Sequence, residues 1–223
     1  MRRIFLVLFL VASVTELITQ LYSLGEIHHY VKPMLMIFLG LYYFSSVNSE
    51  GRSVVVLLAI LFSFLGDSFL LYGSKELYFM LGLGSFLLAH VFYIFSFRQS
   101  RTEASDDQLQ TVRKARMAFP VILAATGLVI VLYPRLGALR LPVVLYAGVL
   151  MFMVLNALFR YEKTSSQSFW MVSAGAVLFM ISDSILAVNK FLEPVSNAGF
   201  AIMLTYLSAQ YLIVEGLIKH DQH

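Results

Sequence analysis

The 223-residue chain contains no cysteine, one tryptophan and only five prolines. Without cysteine it has no disulfide bond, no thiolate nucleophile and no cysteine-ligated metal site. Charged residues make up 13% of the chain, about half of their usual share in soluble domains, whereas 59% of the residues are hydrophobic. This composition excludes an ordinary soluble domain and predicts a polytopic membrane protein. The net charge of +3 does not indicate nucleic-acid binding, because Lys and Arg in membrane proteins mainly report orientation.

Long hydrophobic runs divide the chain into candidate membrane spans. A spanning helix needs about 20 predominantly apolar residues. Eight segments approach this length: 4–22, 31–47, 53–72, 77–97, 117–133, 139–159, 169–189 and 198–218. We therefore expect an all-α bundle of eight transmembrane helices, forming a single integral membrane domain over residues 1–223. The polar segment 98–116 is expected to be a loop that separates two groups of four helices.

The distribution of positive charge predicts the orientation of these spans. With the N-terminus inside, eleven of the 16 Lys and Arg residues lie on the inner side. Both termini are therefore expected in the cytoplasm, with the protein in a bacterial inner membrane. Arg2 and Arg3 before an apolar run also resemble a secretory signal peptide. Because the run is longer and no small-residue cleavage site follows, we expect an uncleaved first helix.

Two aspartates interrupt hydrophobic spans in nearly the same local sequence. Asp67 stands in the run LGDSFL of the third span, and Asp183 stands in the run ISDSIL of the seventh. A charged side chain at the centre of a membrane helix costs about 2.5–3.5 kcal/mol on insertion scales, so such residues are functional candidates. The matching positions predict parallel half-repeats, 1–97 and 117–218, whose third helices face each other across a shared polar interior.

Other polar residues in the spans have both a functional and a structural interpretation. The aspartates themselves could bond Ser68, Ser184 or nearby backbone, and Glu16 could accept hydrogen bonds from Lys32 as a latch between helices. A single helical histidine is typical of a hydrogen-bonded structural residue, and polar side chains often join membrane helices. The candidates for a substrate site are Lys32, Glu16, Tyr206, Gln210, His90 and Asn156.

The available side chains narrow the possible chemistry. Of the five histidines only His90 lies inside a span, so a zinc hydrolase, which typically needs three histidine-rich ligands, is not predicted. Lys190 lies at a helix end, where a retinal Schiff base is not expected. What remains is a pair of acids, of which one can be a neutral proton donor while the other stays ionised. Such a pair suits acid-catalysed cleavage of an acetal-like or vinyl ether bond.

At these residues the chain resembles the YhhN family of membrane proteins, whose characterised animal members are lysoplasmalogenases. The resemblance covers essentially the whole chain and rests on the order of short motifs. These are Lys32-Pro33 opening the second span, Gly66-Asp67 in the third, Ser182-Asp183 in the seventh and Ala209-Gln210 in the eighth. Met34 follows the lysine-proline pair where the family usually has leucine.

The resemblance implies hydrolysis of the sn-1 alkenyl ether of a lysoplasmalogen, giving a fatty aldehyde and glycerophosphoethanolamine or glycerophosphocholine. Asp67 and Asp183 would be the acid/base pair, Tyr206 and Glu16 would orient or tune them, and Lys32 would meet the substrate phosphate. No metal, organic cofactor, nucleic acid or obligate protein partner is implied. The lipid tail would enter between helices from the surrounding membrane. Two other classes stay open: a transporter or proton-coupled carrier, and a structural membrane protein whose acids hold helices together.

Overall fold

Regular structure in the described part of the chain is entirely helical. The structure is a computed structural model that describes residues 1–22, 24–49, 51–101 and 108–221, with side chains described for 112–220 in the last range. Two short 3₁₀ helices, Tyr133–Arg135 and Gly137–Leu139, follow the fifth α-helix. The α-helices are α1 Arg2–Leu21, α2 Gly25–Ser46, α3 Val54–Leu70, α4 Glu76–Gln99, α5 Gln108–Leu132, α6 Arg140–Leu158, α7 Ser166–Phe191 and α8 Ala198–Asp221. The predicted all-α class is confirmed.

Six of these helices are long and apolar enough to cross a membrane, namely α1, α4, α5, α6, α7 and α8. The chain is therefore an integral membrane protein. α2 and α3 do not meet these criteria of length and hydropathy. The first two turns of α2 carry Glu26, His28 and Lys32, and α3 has 17 residues.

Hairpins of adjacent helices form the bundle. The closest packing is within the pairs α7 and α8, α3 and α4, and α1 and α2. α4 also packs against α6, and α8 against α1 and α2, which closes the bundle around α8. α5 lies at the periphery, where Phe119, Leu123 and Ile130 are exposed on its surface. In a membrane this apolar surface faces lipid.

Glycines allow two of these helix pairs to approach closely. A Cβ atom on Gly175 of α7 would lie 2.8 Å from the carbonyl oxygen of Ala209 on α8. A Cβ atom on Gly66 of α3 would lie 2.6 Å from the ring of Phe86 on α4. Small residues at such contacts are typical of membrane helix pairs, in which packing rather than the hydrophobic effect holds helices together. Gly66 thus places an aromatic ring directly beside Asp67.

The start of the second helix differs from the prediction. Lys32-Pro33 was expected to open this helix, but α2 begins two turns earlier, at Gly25. The prediction is wrong because it assigned Pro33 to the first turn, where its missing N–H has no consequence. Within α2 the proline instead removes one backbone hydrogen bond. Membrane helices tolerate this loss when neighbouring groups or water satisfy the freed carbonyl.

The predicted loop 98–116 is also helical at both ends. α4 continues to Gln99, and α5 begins at Gln108, whereas 102–107 lie outside the described residues. The sequence assignment ended the helices where hydrophobicity ended. A helix rich in Gln, Arg, Lys and Ala nevertheless continues into the aqueous phase, because these residues have high helix propensity.

Charged side chains join three helices at the end of the bundle that carries the N-terminus. Glu215 of α8 is buried, and it accepts a hydrogen bond from the hydroxyl of Tyr42 on α2. Arg2 Nη2 of α1 lies 3.5 Å from Glu215 Oε1, and Lys219 Nζ lies 3.9 Å from the same oxygen. This network satisfies a buried carboxylate and fixes the ends of α1, α2 and α8 together.

The close contact at Gly175 predicts a specific effect of one added methyl group. Gly175→Ala should destabilise the protein by about 1–3 kcal/mol, because the methyl group forces α7 and α8 apart. Gly84→Ala is the matched control, since its Cβ would meet open space and alanine has the higher helix propensity. Thermal unfolding in detergent measures both variants. Equal stability of the two would contradict the packing described here.

Candidate active site

A cavity of about 270 Å³ lies within one end of the bundle. Its walls come from α1, α2, α3, α4, α7 and α8, at the end of the bundle where α1, α3 and α7 end and α2, α4 and α8 begin. Asp67 and Asp183 both line it, together with Tyr206 and Lys32. Four residues singled out from the sequence are thus brought to one cavity. The two aspartates come from different halves of the chain.

Asp67 is held by a tyrosine from a distant helix. Its side chain is buried, and the Tyr206 hydroxyl on α8 donates a hydrogen bond of 2.7 Å to Oδ2. Ser68, the local partner considered above, instead donates to the carbonyl of Phe64 on its own helix. The carboxyl group is therefore satisfied by tertiary structure rather than by its neighbours in sequence.

Gln210 extends this contact into a network across three helices. Its Nε2 donates to Ser63 Oγ at 2.9 Å and to the Tyr206 hydroxyl at 3.3 Å. The hydroxyl of Tyr93 on α4 donates to Gln210 Oε1 at 2.5 Å. Tyr206 and Gln210 share one face of α8, as their spacing predicts. Ser63 and Tyr93 were missed, although Ser63 lies one turn before Asp67 on the same face of α3.

Asp183 has a similar tyrosine partner. The Tyr146 hydroxyl on α6 donates a hydrogen bond of 2.5 Å to Asp183 Oδ2. Ser184 donates to the carbonyl of Met180 on its own helix and does not reach the aspartate. Nothing in the sequence distinguishes Tyr146 from the other eleven tyrosines. Only the packing of α6 against α7 selects it.

His90 is the nearest titratable neighbour of Asp183 from α4. Its ring is fully buried between Tyr146 and Phe179, with ring centroids 5.3 Å and 4.7 Å away. Neither ring nitrogen has a hydrogen-bond partner in the described part of the chain, and Nε2 lies 3.9 Å from Asp183 Oδ2. The expectation of a hydrogen-bonded structural histidine is therefore wrong. The imidazole instead adds an unpaired polar edge beside the acid.

The mouth of the cavity carries two lysines. Lys32 and Lys190 line it beside His28, and Lys32 makes no hydrogen bond or ion pair with any described residue. Glu16 is buried behind them, and its Oε1 lies 2.7 Å from His28 Nδ1 and accepts a 2.9 Å bond from Gln20 Nε2. A latch through Glu16 is present, but its partner is His28 rather than Lys32.

Glu16, His90 and Gln210 do not line the cavity but contact residues that do, whereas Asn156 lies away from it. It stands near the end of α6, where its Oδ1 accepts hydrogen bonds from Arg98 Nε at 3.1 Å and Arg101 Nη2 at 2.9 Å. Its Nδ2 donates to the carbonyl of Phe152. Burial, and then the adjacent charge of Arg98, lower the pKa of Arg101. The structure gives Asn156 a contact with the segment after α4 and no place in the cavity wall.

The fold and the site together define a class: a polytopic helical membrane protein with one buried and one half-buried aspartate in the same cavity. The chain belongs to the YhhN family, whose sequence profile matches residues 27–217. The resemblance noted from the sequence is thereby confirmed. No solved structure matches the chain.

Several curated relatives of the chain are named lysoplasmalogenase. The chain is 31% identical over 172 residues to a lysoplasmalogenase of Mycobacterium bovis, covering 76% of this chain and 62% of that protein. It is 31% identical over 169 residues to lysoplasmalogenase TMEM86A of Homo sapiens, covering 74% and 65%. It is 28% identical over 171 residues to human lysoplasmalogenase TMEM86B, covering 77% and 66%. The chain therefore spans less than two thirds of these relatives' length.

The Gln210 network predicts a strong coupling between helices. Gln210→Leu should lower the free energy of unfolding by about 1–3 kcal/mol, because it leaves the buried Tyr93 hydroxyl without an acceptor. Tyr93→Phe should cost much less in the Gln210→Leu background than alone, because both partners are then gone. Thermal or denaturant unfolding of the four proteins in detergent measures the coupling. Strictly additive losses would show that the bond contributes nothing.

Proposed function

We propose that this protein hydrolyses the sn-1 alkenyl ether bond of a lysoplasmalogen. The single observation that carries the proposal is that Asp67 and Asp183 line one cavity in a helical membrane protein. The products are a fatty aldehyde and a glycerophospho-base. The relatives named lysoplasmalogenase indicate the substrate class, and the acid pair supplies the chemistry that such a bond requires.

The distribution of charge in the cavity suits an amphipathic lipid. Lys32 and Lys190 lie at the mouth, where they would meet the substrate phosphate, and the aspartates lie deeper. A lysophospholipid therefore binds with its head group toward the end of the bundle and its ether bond between the acids. Charge-assisted hydrogen bonds to phosphate are stronger than neutral ones, so Lys32 contributes mainly to binding.

The reaction needs a proton donor and a carboxylate. Protonation of the β-carbon of the alkenyl ether gives an oxocarbenium ion, which a carboxylate stabilises while water attacks. The resulting hemiacetal then collapses to the aldehyde and a free glycerol hydroxyl. Tyr206 and Tyr146 hold the two carboxyl groups in position through their hydrogen bonds. Fixed groups of this kind reduce the reorganisation that the transition state requires.

The remaining sequence candidates have supporting roles in this proposal. Glu16 acts through His28, and Gln210 acts through Tyr206, so both are positioning residues. His90 places an unpaired imidazole nitrogen beside Asp183. Asn156 stays a sequence prediction without a place in the mechanism.

The same proposal includes the topology. All eight helices cross the membrane in this proposal, because α2 packs along α1 and α3 packs along α4, and both α1 and α4 are long and apolar enough to span. Each acid faces the fourth helix of the other half, since Asp67 meets α8 and Asp183 meets α4, which supports the parallel 4+4 repeat. The excess of Lys and Arg at the opposite end supports cytoplasmic termini in a bacterial inner membrane.

A proton-coupled carrier is the alternative that uses the same acids. It is favoured by one observation, the opening of the acid-lined cavity toward a single end of the bundle. A carrier moves its substrate unchanged across a sealed membrane. Release of aldehyde by the purified protein in detergent therefore distinguishes the two functions.

The acid pair predicts the outcome of conservative substitution. Asp67→Asn and Asp183→Asn should each reduce aldehyde release from lysoplasmenylethanolamine by about 100-fold or more, because the amide neither donates nor accepts the catalytic proton. Size-exclusion profiles and thermal unfolding in detergent establish that the variants fold. Unfolded variants would indicate a structural role for the acids. Folded variants with full activity would refute acid/base catalysis by this pair.

The free ammonium at the mouth predicts a binding effect. Lys32→Met should raise KM for the lysophospholipid about tenfold and leave kcat nearly unchanged, because a charged hydrogen bond contributes about 1.5–3 kcal/mol. Lys75→Met is the matched control, since Lys75 lies at the same end of the bundle but outside the cavity wall. Steady-state kinetics on both variants measure the difference. A similar KM for the two would exclude Lys32 from head-group binding.

A further inference from the structure

A second, apolar cleft adjoins the polar cavity. It has a volume of about 40 Å³ and lies between α4, α6 and α7. Asp183 and Phe86 line both the cleft and the cavity, whereas Asp67 lines the cavity alone. Leu83 and Ala187 on the cleft wall are only half-buried, so the cleft reaches the lipid-facing surface of the bundle. The two aspartates therefore occupy different positions relative to hydrocarbon.

We infer that this cleft holds the first carbons of the alkenyl chain, and that Asp183 is the proton donor while Asp67 directs the water. The inference rests on the proposed function and assigns the two acids within it. Continuity between the cleft and the cavity lets one lipid occupy both, with its ether oxygen at the junction. The rest of the chain leaves between the helices into the bilayer.

A second apolar groove is an alternative site for the alkenyl chain. It lies between α2 and α3, has a larger volume of about 390 Å³, and is lined by Met36, Gly40 and Leu61 among others. Neither aspartate lines it, and it shares no wall residue with the polar cavity. A chain in that groove would place the ether bond out of reach of the acids. The smaller cleft is therefore the one that connects hydrocarbon with the chemistry.

The position of the reacting carbon assigns the donor. In an alkenyl ether the proton is added to the second carbon of the chain, which lies on the hydrocarbon side of the ether oxygen. Asp183 is the acid on that side, because it lines the apolar cleft and Asp67 does not. Asp67 lies on the head-group side with Lys32, where an ionised carboxylate stabilises the cation at the first carbon.

The proposed cycle returns both acids to their starting states. The Asp183 carboxylic acid gives its proton to the second carbon, the double bond is lost, and the first carbon becomes an oxocarbenium ion. Water attacks that carbon and gives a proton to the Asp67 carboxylate, which forms a hemiacetal. The bond from the first carbon to the glycerol oxygen then breaks as Asp67 protonates that oxygen. The hemiacetal hydroxyl gives its proton to Asp183 and becomes the aldehyde.

Narrowing the cleft tests where the chain binds. Ala187→Phe should lower kcat/KM at least about tenfold for a long-chain lysoplasmenyl substrate and leave a propenyl analogue nearly unaffected, because only the long chain passes the opening beside Ala187, whereas the three carbons of the propenyl group end inside the cleft. Ala124→Phe is the matched control, since Ala124 is exposed on the peripheral α5. If Ala187→Phe fails to fold, Ala187→Leu is measured in its place. Both are compared with the wild type.

The outcomes separate the two levels of the proposal. No aldehyde from wild-type protein with either substrate refutes the proposed function itself. The cleft assignment is refuted, and the function is retained, if the wild type is active but the kcat/KM values of the Ala187 and Ala124 variants are the same. It is refuted likewise if the Ala187 variant loses kcat/KM equally for both substrates.

Deuterium exchange tests the assignment of the donor. In D2O, Asp67→Asn should introduce deuterium at the second carbon of the unreacted substrate, because Asp183 still protonates and deprotonates that carbon while attack of water is slow. Asp183→Asn should introduce none. Exchange by Asp183→Asn, or by neither variant, would overturn the assignment.

Discussion

Two carboxyl groups inside a membrane bundle, one buried and one half-buried, require hydrogen-bond donors from other helices, and the arrangement of the site follows from this requirement. An unsatisfied polar group in hydrocarbon costs several kcal/mol. Tyr206 of α8 satisfies Asp67 of α3, and Tyr146 of α6 satisfies Asp183 of α7. The first bond joins the two halves of the chain, and the second joins two helices of the second half. Without these bonds each aspartate would leave an unsatisfied polar group inside the bundle.

The same contacts explain why the site is polar at one end and apolar at the other. Glycine at position 66 lets the Phe86 ring lie against α3, and this ring lines both the polar cavity and the cleft beside Asp183. Lys32 and Lys190 line the polar cavity and do not line the cleft. The site thus has a charged wall that suits a head group and an apolar wall that suits an alkenyl chain. This division is what hydrolysis of a lipid ether requires.

The sequence predicted those features that depend on composition, on hydrophobic periodicity and on the free energy of placing a charge in the membrane. Hydrophobic runs predicted the helices, and the expense of buried charge pointed to Asp67 and Asp183. Residues whose importance comes from packing were missed, namely Tyr146, Tyr93 and His28. A tyrosine in an apolar helix looks the same whether it faces lipid or an acid, because the difference lies in a neighbouring helix. Helix ends were misplaced at Gly25 and Gln108 for a related reason, since helices continue beyond the point where hydrophobicity ends.

The most direct test is an experimental structure with a bound substrate analogue. A lysophospholipid with a saturated sn-1 alkyl ether has the shape of the substrate but no double bond to protonate. The account predicts that its ether oxygen lies between Asp67 and Asp183, its phosphate near Lys32, and its first chain carbons in the cleft beside Ala187. A lipid bound in the groove between α2 and α3, with neither aspartate near its ether oxygen, would contradict the account.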